Sequence, residues 1–196
     1  KIISPTISID RFVKNIKDVH VTHKEQGYKH SQLLLSRDKS TRLYGYFQSY
    51  KYFDEGKKEI YDFLQIEEKK KDILDKFPKD FFKNAVSLHF RIGDYKGKYT
   101  SNIHQVLALS YYTKALKKLS GDTKKEWKIL YFYEVADSTD VERNVVELKK
   151  SFPTFVFEGI DVNLADWEQM LVMSLCQHNI IANSSFSWWG AYLNTN

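Results

Sequence analysis

The chain has 196 residues, of which 42% are hydrophobic and 28% are charged. These values are typical of a globular protein and argue against a disordered chain. The net charge of +5 gives a pI near 9.0, but the lysines are scattered along the sequence. A mild excess of positive charge of this kind suits a phosphate-bearing ligand or an anionic surface. Only the pI favours nucleic-acid binding, so we expect no nucleic-acid partner.

The cysteine count and the hydropathy limit the chemistry and the compartment. Cys176 is the one cysteine, which excludes an intrachain disulfide and a Cys-based zinc site. It lies in an apolar helical pattern, so core packing is a simpler interpretation than a catalytic thiol. No stretch approaches the roughly 18 apolar residues that cross a bilayer. We therefore expect a cytoplasmic protein, with the question of an anchor upstream of Lys1 left open.

The first eighty residues contain one predicted helix. Apolar residues recur there at helical spacing: Ile60, Phe63, Leu64, Leu74 and Phe77. This spacing predicts a helix over Lys57–Phe77 that ends at Pro78. The mixed-sign run Glu67–Asp72 is typical of a solvated helix face.

From residue 84 onward, strands alternate with single helices. Strands are predicted at 85–90, 127–135, 154–158 and 179–183. The helices between them are predicted around 112–120, from a capping box of Thr139 and Glu142 to Lys150, and from caps at Asn163 and Asp166 to about His178. This alternation predicts an α/β fold with a parallel sheet and right-handed crossovers. In such sheets ligands bind beyond the carboxyl ends of the strands.

The segment "HFRIGDY" (89–95) follows the first of these strands. Alternation places His89 and Arg91 on the same face, where the guanidinium could form a fork onto a diphosphate. The alternative is a surface pair of Arg91 with Asp94 and a histidine that is merely packed. Spacing alone leaves both interpretations open.

The segment "EVADSTD" (134–140) follows the second strand. The carboxylate of Asp137 could accept hydrogen bonds from a ribose or a base edge. Capping of the following helix explains an acidic residue at this position equally well. This signal is weak by itself.

The segment "NIIANSSFSWWGAYL" (179–193) follows the strand with a turn at Ser184-Ser185 and a predicted helix over Phe186–Tyr192. Hydroxyl and backbone N–H groups at a helix start form an anion site. The Trp188-Trp189 pair is most simply packing that anchors the turn against the sheet, with stacking on a sugar or base as the alternative. The N-glycosylation pattern at Asn183 is discounted because a glycan would block this turn.

Three common motifs are missing from the sequence. There is no G-x-x-x-x-G-K-[ST] phosphate loop, no H-E-x-x-H or similar ligand cluster, and no G-x-S-x-G elbow. The chain is therefore not expected to be a P-loop NTPase, a metalloenzyme of that type or an α/β hydrolase.

Several blocks together resemble the α-1,2-fucosyltransferases of glycosyltransferase family 11. These blocks are "GYFQSYKYF", "VSLHFRIGDY", "HQVLALSYYTKAL" and "DWEQMLVMSLCQHNIIANSSFSWWGAYLN", and they run in family order from about Leu43 to Asn196. The resemblance implies a GT-B architecture of two Rossmann-like domains, GDP-fucose as donor, a glycan acceptor, inversion at the anomeric carbon, and no cofactor or metal. It also implies that residues 1–80 are a partial acceptor-side domain with a connecting helix and that residues 81–196 form the C-terminal Rossmann-like GDP-fucose-binding domain.

The resemblance also implies roles for individual residues. The family's H-x-R-R-G-D-Y motif falls on His89, Arg91, Gly93, Asp94 and Tyr95, with Arg91 implied as the pyrophosphate contact. Only the first acid of the family's S-D-D segment is kept in this sequence, and the resemblance implies that this residue, Asp137, contacts ribose or guanine. Its N-S-S-F-S-W-W-G block implies that Asn183, Ser184, Ser185, Phe186 and Ser187 bind the donor, with Ser184 or Ser185 on the phosphates. Asp94 and His89 are the candidates for a general base.

The departures from the family pattern motivate a second hypothesis. Ile92 replaces the second arginine of the motif, Ser138 replaces an acid, and the glycine-rich G-G-L-G-N-Q segment is missing. We therefore interpret the chain as a fragment or a shortened member. The leading hypothesis is inverting fucosyl transfer, and the alternative is an inactive nucleotide-sugar or glycan-binding module of the same fold.

Overall fold

The computed structural model describes residues 21–27, 29–33, 40–97, 104–121 and 125–196. The chain divides into two compact units, Lys1–Leu64 and Gln65–Asn196. The assignment of residues 1–80 to a partial acceptor-side domain and of residues 81–196 to a donor-binding domain stays a prediction. In the described part of the chain, no helix is long and apolar enough to span a bilayer.

Within its described residues, the first unit shows two short parallel strands and one α-helix. Strand β1 (Val21–Lys24) pairs with β2 (Thr41–Tyr44), and helix α1 covers Lys57–Leu64. The Glu25 carboxylate accepts hydrogen bonds from the backbone N–H groups of Tyr46 and Phe47 at 2.8 and 2.9 Å. This carboxylate therefore holds the segment that follows β2.

The predicted single helix over Lys57–Phe77 is wrong. Gln65 adopts a left-handed conformation (φ 54°, ψ 46°), and a second helix, α2, covers Ile66–Leu74. A residue with positive φ cannot continue the i→i−4 ladder, so the helical spacing runs across a break. Phe63 is one of the apolar residues whose spacing predicted the single helix, yet its side chain is 85% exposed.

The run Glu67–Asp72 is mostly the solvated face that the sequence predicts, with Glu67, Glu68, Lys71 and Asp72 exposed, but Lys70 departs from this expectation. Lys70 shares a helix face with Ile66 and Ile73, and all three side chains are buried. The Lys70 ammonium donates a hydrogen bond to the backbone carbonyl of Leu193 at 2.9 Å. A buried cation needs such a partner, and this one comes from 123 residues away along the chain.

The second unit is built on a four-stranded parallel sheet flanked by helices, as the sequence predicts. In chain order the elements are β3 (Ala85–His89), α3 (Leu109–Ser120), β4 (Lys128–Phe132), α4 (Ser138–Ser151), β5 (Val156–Gly159), α5 (Asp166–Leu175), β6 (His178–Ile180) and α6 (Ser185–Tyr192). The strands lie in the order β5-β4-β3-β6 in the sheet. This arrangement is consistent with the expected GT-B-like fold.

The core explains why β3 lies inside the sheet. Every residue of β3 is buried, and Val86, Leu88 and Phe90 pack in one cluster with residues of α3, β4 and α4. Cys176 is fully buried, and this burial raises the pKa of its thiol. A thiol that stays protonated confirms the core-packing interpretation.

Two of the predicted helix caps are wrong. Helix α4 begins at Ser138, so Thr139 lies inside it. Helix α5 begins at Asp166, and the Glu168 carboxylate accepts the backbone N–H of Ala165 at 2.8 Å. The N-cap residues are Asp137 and Ala165, and neither makes a side-chain cap hydrogen bond.

Candidate active site

An open cleft of about 300 Å³ lies at the carboxyl ends of the strands of the four-stranded sheet. Its lining comes from the ends of β3 and β4, the loop after β5, and helices α5 and α6: His89, Arg91, Phe132, Tyr133, Glu134, Val135, Val162, Asp166, Gln169 and Phe186. Its volume is at the lower end of the range for small-molecule sites. The position matches the expectation for an open α/β sheet.

The charged end of the cleft is an ion pair between Arg91 and Glu134. The parallel register places His89 opposite Phe132, so Arg91 and Glu134, each two residues farther on, stand level with each other. The Arg91 guanidinium also lies over the Tyr95 ring, 5.6 Å from its centroid. The structure therefore gives Arg91 a carboxylate partner that the sequence analysis missed.

The register of the two strands is the signal that could have identified Glu134. Its place two residues beyond β4 mirrors the place of Arg91 beyond β3. The alternative considered from the sequence was a surface pair of Arg91 with Asp94. The side chain of Asp94 is not among the described side chains, so its candidacy as a base stays a prediction.

His89 forms an uncharged wall of the cleft. It is 5% exposed, its ring lies 5.6 Å from that of Phe186, and its Nδ1 has no hydrogen-bond partner in the described part of the chain. Burial, followed by the positive charge of Arg91, lowers the pKa of His89 from 6.5 to about 4. The imidazole is therefore neutral near pH 7, and it can offer one donor and one acceptor but no charge.

Asp137 is held away from the cleft. Its side chain is 4% exposed and accepts a hydrogen bond from the Gly93 N–H at 2.9 Å. It makes no side-chain cap hydrogen bond to α4. The capping alternative is therefore wrong, and the carboxylate fixes the turn that carries Arg91. Its predicted contact with ribose or guanine stays a prediction.

The turn into α6 is fixed by its own polar side chains. Ser187 is 1% exposed, and its hydroxyl accepts the Ala182 N–H at 3.2 Å. The Asn183 amide donates to the carbonyl of Gln105 at 2.9 Å. These two residues of the predicted donor-binding block thus have structural partners.

The two serines at the start of α6 have no such anchor in the observed geometry. Ser184 precedes the helix without a side-chain cap hydrogen bond, and Ser185 is exposed. Neither lines the cleft, whereas Phe186 of the same turn does. The structure therefore brings the first turn of α6 to the cleft that holds Arg91, but it does not place a serine hydroxyl on its wall.

The tryptophan pair packs within its own helix. Trp188 stacks on Tyr192 with ring centroids 5.0 Å apart and meets Trp189 edge-on at 5.2 Å. Helix α6 packs closely on α5, where a Cβ added to Gly190 would lie 2.8 Å from Met173 Cβ. Neither indole lines the cleft, so packing accounts for both rings.

The lining of the cleft combines one cation, two carboxylates and apolar surface. Arg91 is its basic side chain, Glu134 and Asp166 are its acidic ones, and Phe132, Phe186 and Val162 supply aromatic and aliphatic walls. In the ranges that the structure describes, no group of three or more His, Cys, Asp or Glu side chains could hold a metal. A guanidinium beside apolar walls can bind a phosphorylated ligand with a planar or hydrophobic part.

Two curated proteins of Escherichia coli are similar to this chain. The "O-antigen biosynthesis glycosyltransferase WbnK" is 33% identical over 159 residues, which cover 78% of this chain and 50% of that protein. The "Alpha-1,2-colitosyltransferase" is 31% identical over 163 residues, which cover 79% and 51%. The chain thus spans about half the length of the curated relatives it matches. No solved structure matches it.

The family comparison covers nearly the whole chain. Residues 3–196 match the model described as "Glycosyl transferase family 11". The resemblance noted from the sequence motifs is confirmed, and the chain belongs to glycosyltransferase family 11.

Proposed function

We propose that the chain carries the donor site of an inverting glycosyltransferase that moves fucose from GDP-fucose to a hydroxyl group of a glycan acceptor. The observation that supports this most is the position of Arg91. Its guanidinium lines a cleft at the carboxyl ends of β3 and β4 in the parallel sheet of a member of family 11. A planar fork of donors at this place fits two linked phosphates.

In the proposed reaction Arg91 stabilises the leaving group. An acceptor hydroxyl attacks the anomeric carbon of fucose from the face opposite the diphosphate, the bond from that carbon to the phosphate oxygen breaks, and GDP departs with the electron pair. The hydroxyl proton passes to a base. Guanidinium donors that strengthen their bonds as negative charge develops lower the barrier of such a step. The first turn of α6 is the second proposed phosphate contact through its backbone N–H groups, since Phe186 of this turn lines the cleft whereas Ser184 and Ser185 do not.

His89 suits a hydrogen-bonding role in this site. A histidine with a pKa of about 4 is unprotonated at neutral pH, but its driving force for accepting a proton is small. Its buried, unpartnered Nδ1 is instead ready to pair with a polar group of the donor. We therefore assign His89 to donor binding, which leaves Asp94 as the candidate for the general base.

The donor class is tested by thermal unfolding in the presence of nucleotides. A ligand that binds only the folded state raises the melting temperature, so GDP and GDP-fucose are expected to raise it while UDP and CMP are not. A colitosyl donor belongs in the same series because one relative is named for colitosyl transfer. Equal stabilisation by UDP, or none by any guanine nucleotide, would contradict the proposed donor.

A second function rests on Ile92. This residue stands where the family motif has its second arginine, and its side chain is 4% exposed in the core cluster. The motif thus has one cation where the family pattern has two, and position 92 itself lies in the core and not in the lining of the cleft. This favours a module that binds the nucleotide sugar without transferring it. Calorimetry with GDP beside a fucose-transfer assay separates the two: binding with product formation supports transfer, and binding without product supports the module.

A further inference from the structure

We propose that Glu134 is a displaceable counterion of Arg91 that weakens the hold of the cleft on the free nucleoside diphosphate more than on the intact sugar donor. The inference rests on the proposed function, because it concerns the diphosphate part of the same site. Glu134 becomes a selectivity residue for the charge of the ligand rather than a partner that merely stabilises the fold.

The first step of the argument is geometric. Arg91 and Glu134 form their ion pair across the ends of two neighbouring strands, and both side chains line the cleft. A carboxylate and a phosphate compete for the same N–H donors of a guanidinium. An anion that enters the cleft must therefore displace the Glu134 carboxylate from Arg91 or share the guanidinium with it.

The second step is that this pair can open. The Arg91 side chain is 25% exposed and that of Glu134 is 51% exposed. Ion pairs with this access to water shift an equilibrium by less than about tenfold, since solvent replaces much of the lost attraction. The Glu134 carboxylate can therefore rotate into solvent, and the Arg91 guanidinium that it leaves still has access to water.

The third step is the charge of the two ligands. When the sugar leaves, the terminal phosphate is no longer esterified and gains negative charge at neutral pH. A carboxylate that remains at the mouth of the cleft repels this added charge. Glu134 should therefore act more strongly against GDP than against GDP-fucose, which favours release of the product after transfer.

The test compares Glu134→Gln with the wild-type chain by titration calorimetry at one ionic strength, with inorganic pyrophosphate, GDP and GDP-fucose as ligands. Glutamine keeps the size and the hydrogen-bonding oxygen but removes the charge. The matched control is Glu147→Gln, which removes the same charge from an exposed pair with Lys150 on α4, outside the cleft. Because Glu134 is half exposed, the variant is expected to fold, and Glu134→Ala gives a second measurement of the same sign.

We expect E134Q to bind pyrophosphate and GDP about threefold to fivefold more tightly, with a smaller gain for GDP-fucose, while E147Q stays within about 1.5-fold of the wild type. Equal or weaker binding of pyrophosphate and GDP by E134Q and E134A would overturn the inference. So would an equal gain for GDP and GDP-fucose. Pyrophosphate binding without any guanine-nucleotide binding would overturn the proposed donor, and the pyrophosphate ratio would still decide the role of Glu134. No binding of pyrophosphate to any variant would overturn the inference, even where GDP binding upholds the proposed function.

Discussion

The Tyr95 hydroxyl donates a hydrogen bond to the backbone carbonyl of Asn183 at 2.9 Å. This bond joins the turn that follows β3 to the turn that leads into α6. The same ring lies under the Arg91 guanidinium, and the side chain is 8% exposed. One tyrosine thus sets the position of both turns at the mouth of the cleft.

Replacing Tyr95 with phenylalanine should therefore affect stability and binding together. The variant loses one buried hydrogen bond, which is expected to cost about 1 kcal/mol of unfolding free energy in urea. Donor affinity should also fall, because the α6 turn is no longer tied to the Arg91 turn. The control is Tyr111→Phe, which loses a hydroxyl bond to the Ile181 carbonyl but does not contact Arg91. Equal loss of donor affinity in both variants would argue against the positioning role.

The guanidinium of Arg91 should not be replaceable by an ammonium group. Arg91→Lys keeps the positive charge but loses the planar fork, so we expect at least about a tenfold loss of GDP affinity and of transfer. Arg143→Lys is the matched control, since Arg143 is exposed on α4 and pairs with Asp140. Calorimetry and a GDP-release assay measure the two effects. Near-wild-type turnover of R91K would refute the proposed role of the fork.

His89 should make the stability of the fold depend on pH. Its pKa is about 4 in the folded chain and 6.5 as the ordinary value, so the unfolded chain binds more protons between these pH values. Stability contributed by the neutral imidazole is therefore complete above about pH 6.5 and decreases as the pH falls toward 4, by up to about 3 kcal/mol. Urea unfolding at pH 7.5, 6 and 5 should show this loss, and His89→Gln should reduce it. An NMR titration of the His89 ring with a midpoint near 6.5 would contradict the prediction.

Gly190 should be required for the contact between α6 and α5. A Cβ at this position would lie 2.8 Å from Met173 Cβ and 3.0 Å from its sulfur. Overpacking of this kind is expected to cost about 1–3 kcal/mol in Gly190→Ala. Gly56→Ala is the control because its Cβ would meet no atom closer than 3.9 Å. The double variant with Met173→Gly removes both contacting atoms and should recover part of the steric cost, and a double variant that shows only the summed losses would contradict the contact.

The sequence by itself determined the class of the second unit and the location of its site. Alternation in β3 and apolar helical spacing in α3 are local patterns, and strands alternating with single helices leave a parallel sheet as the ordinary solution. The carboxyl ends of such strands share one edge, so Arg91 and the first turn of α6 could be assigned to one cleft before any coordinates.

The tertiary structure alone decided which polar groups meet. The burial of Lys70 depends on the segment packed against α2, where the carbonyl of Leu193 accepts its hydrogen bond. The pairing of Arg91 with Glu134 depends on the register of two strands 43 residues apart. Asp137 was equally compatible with a ligand contact or a cap, and its actual partner is the Gly93 amide. Local periodicity specifies the face of an element, but the partner of a charged or polar side chain is set by packing between distant segments, and that information is not local.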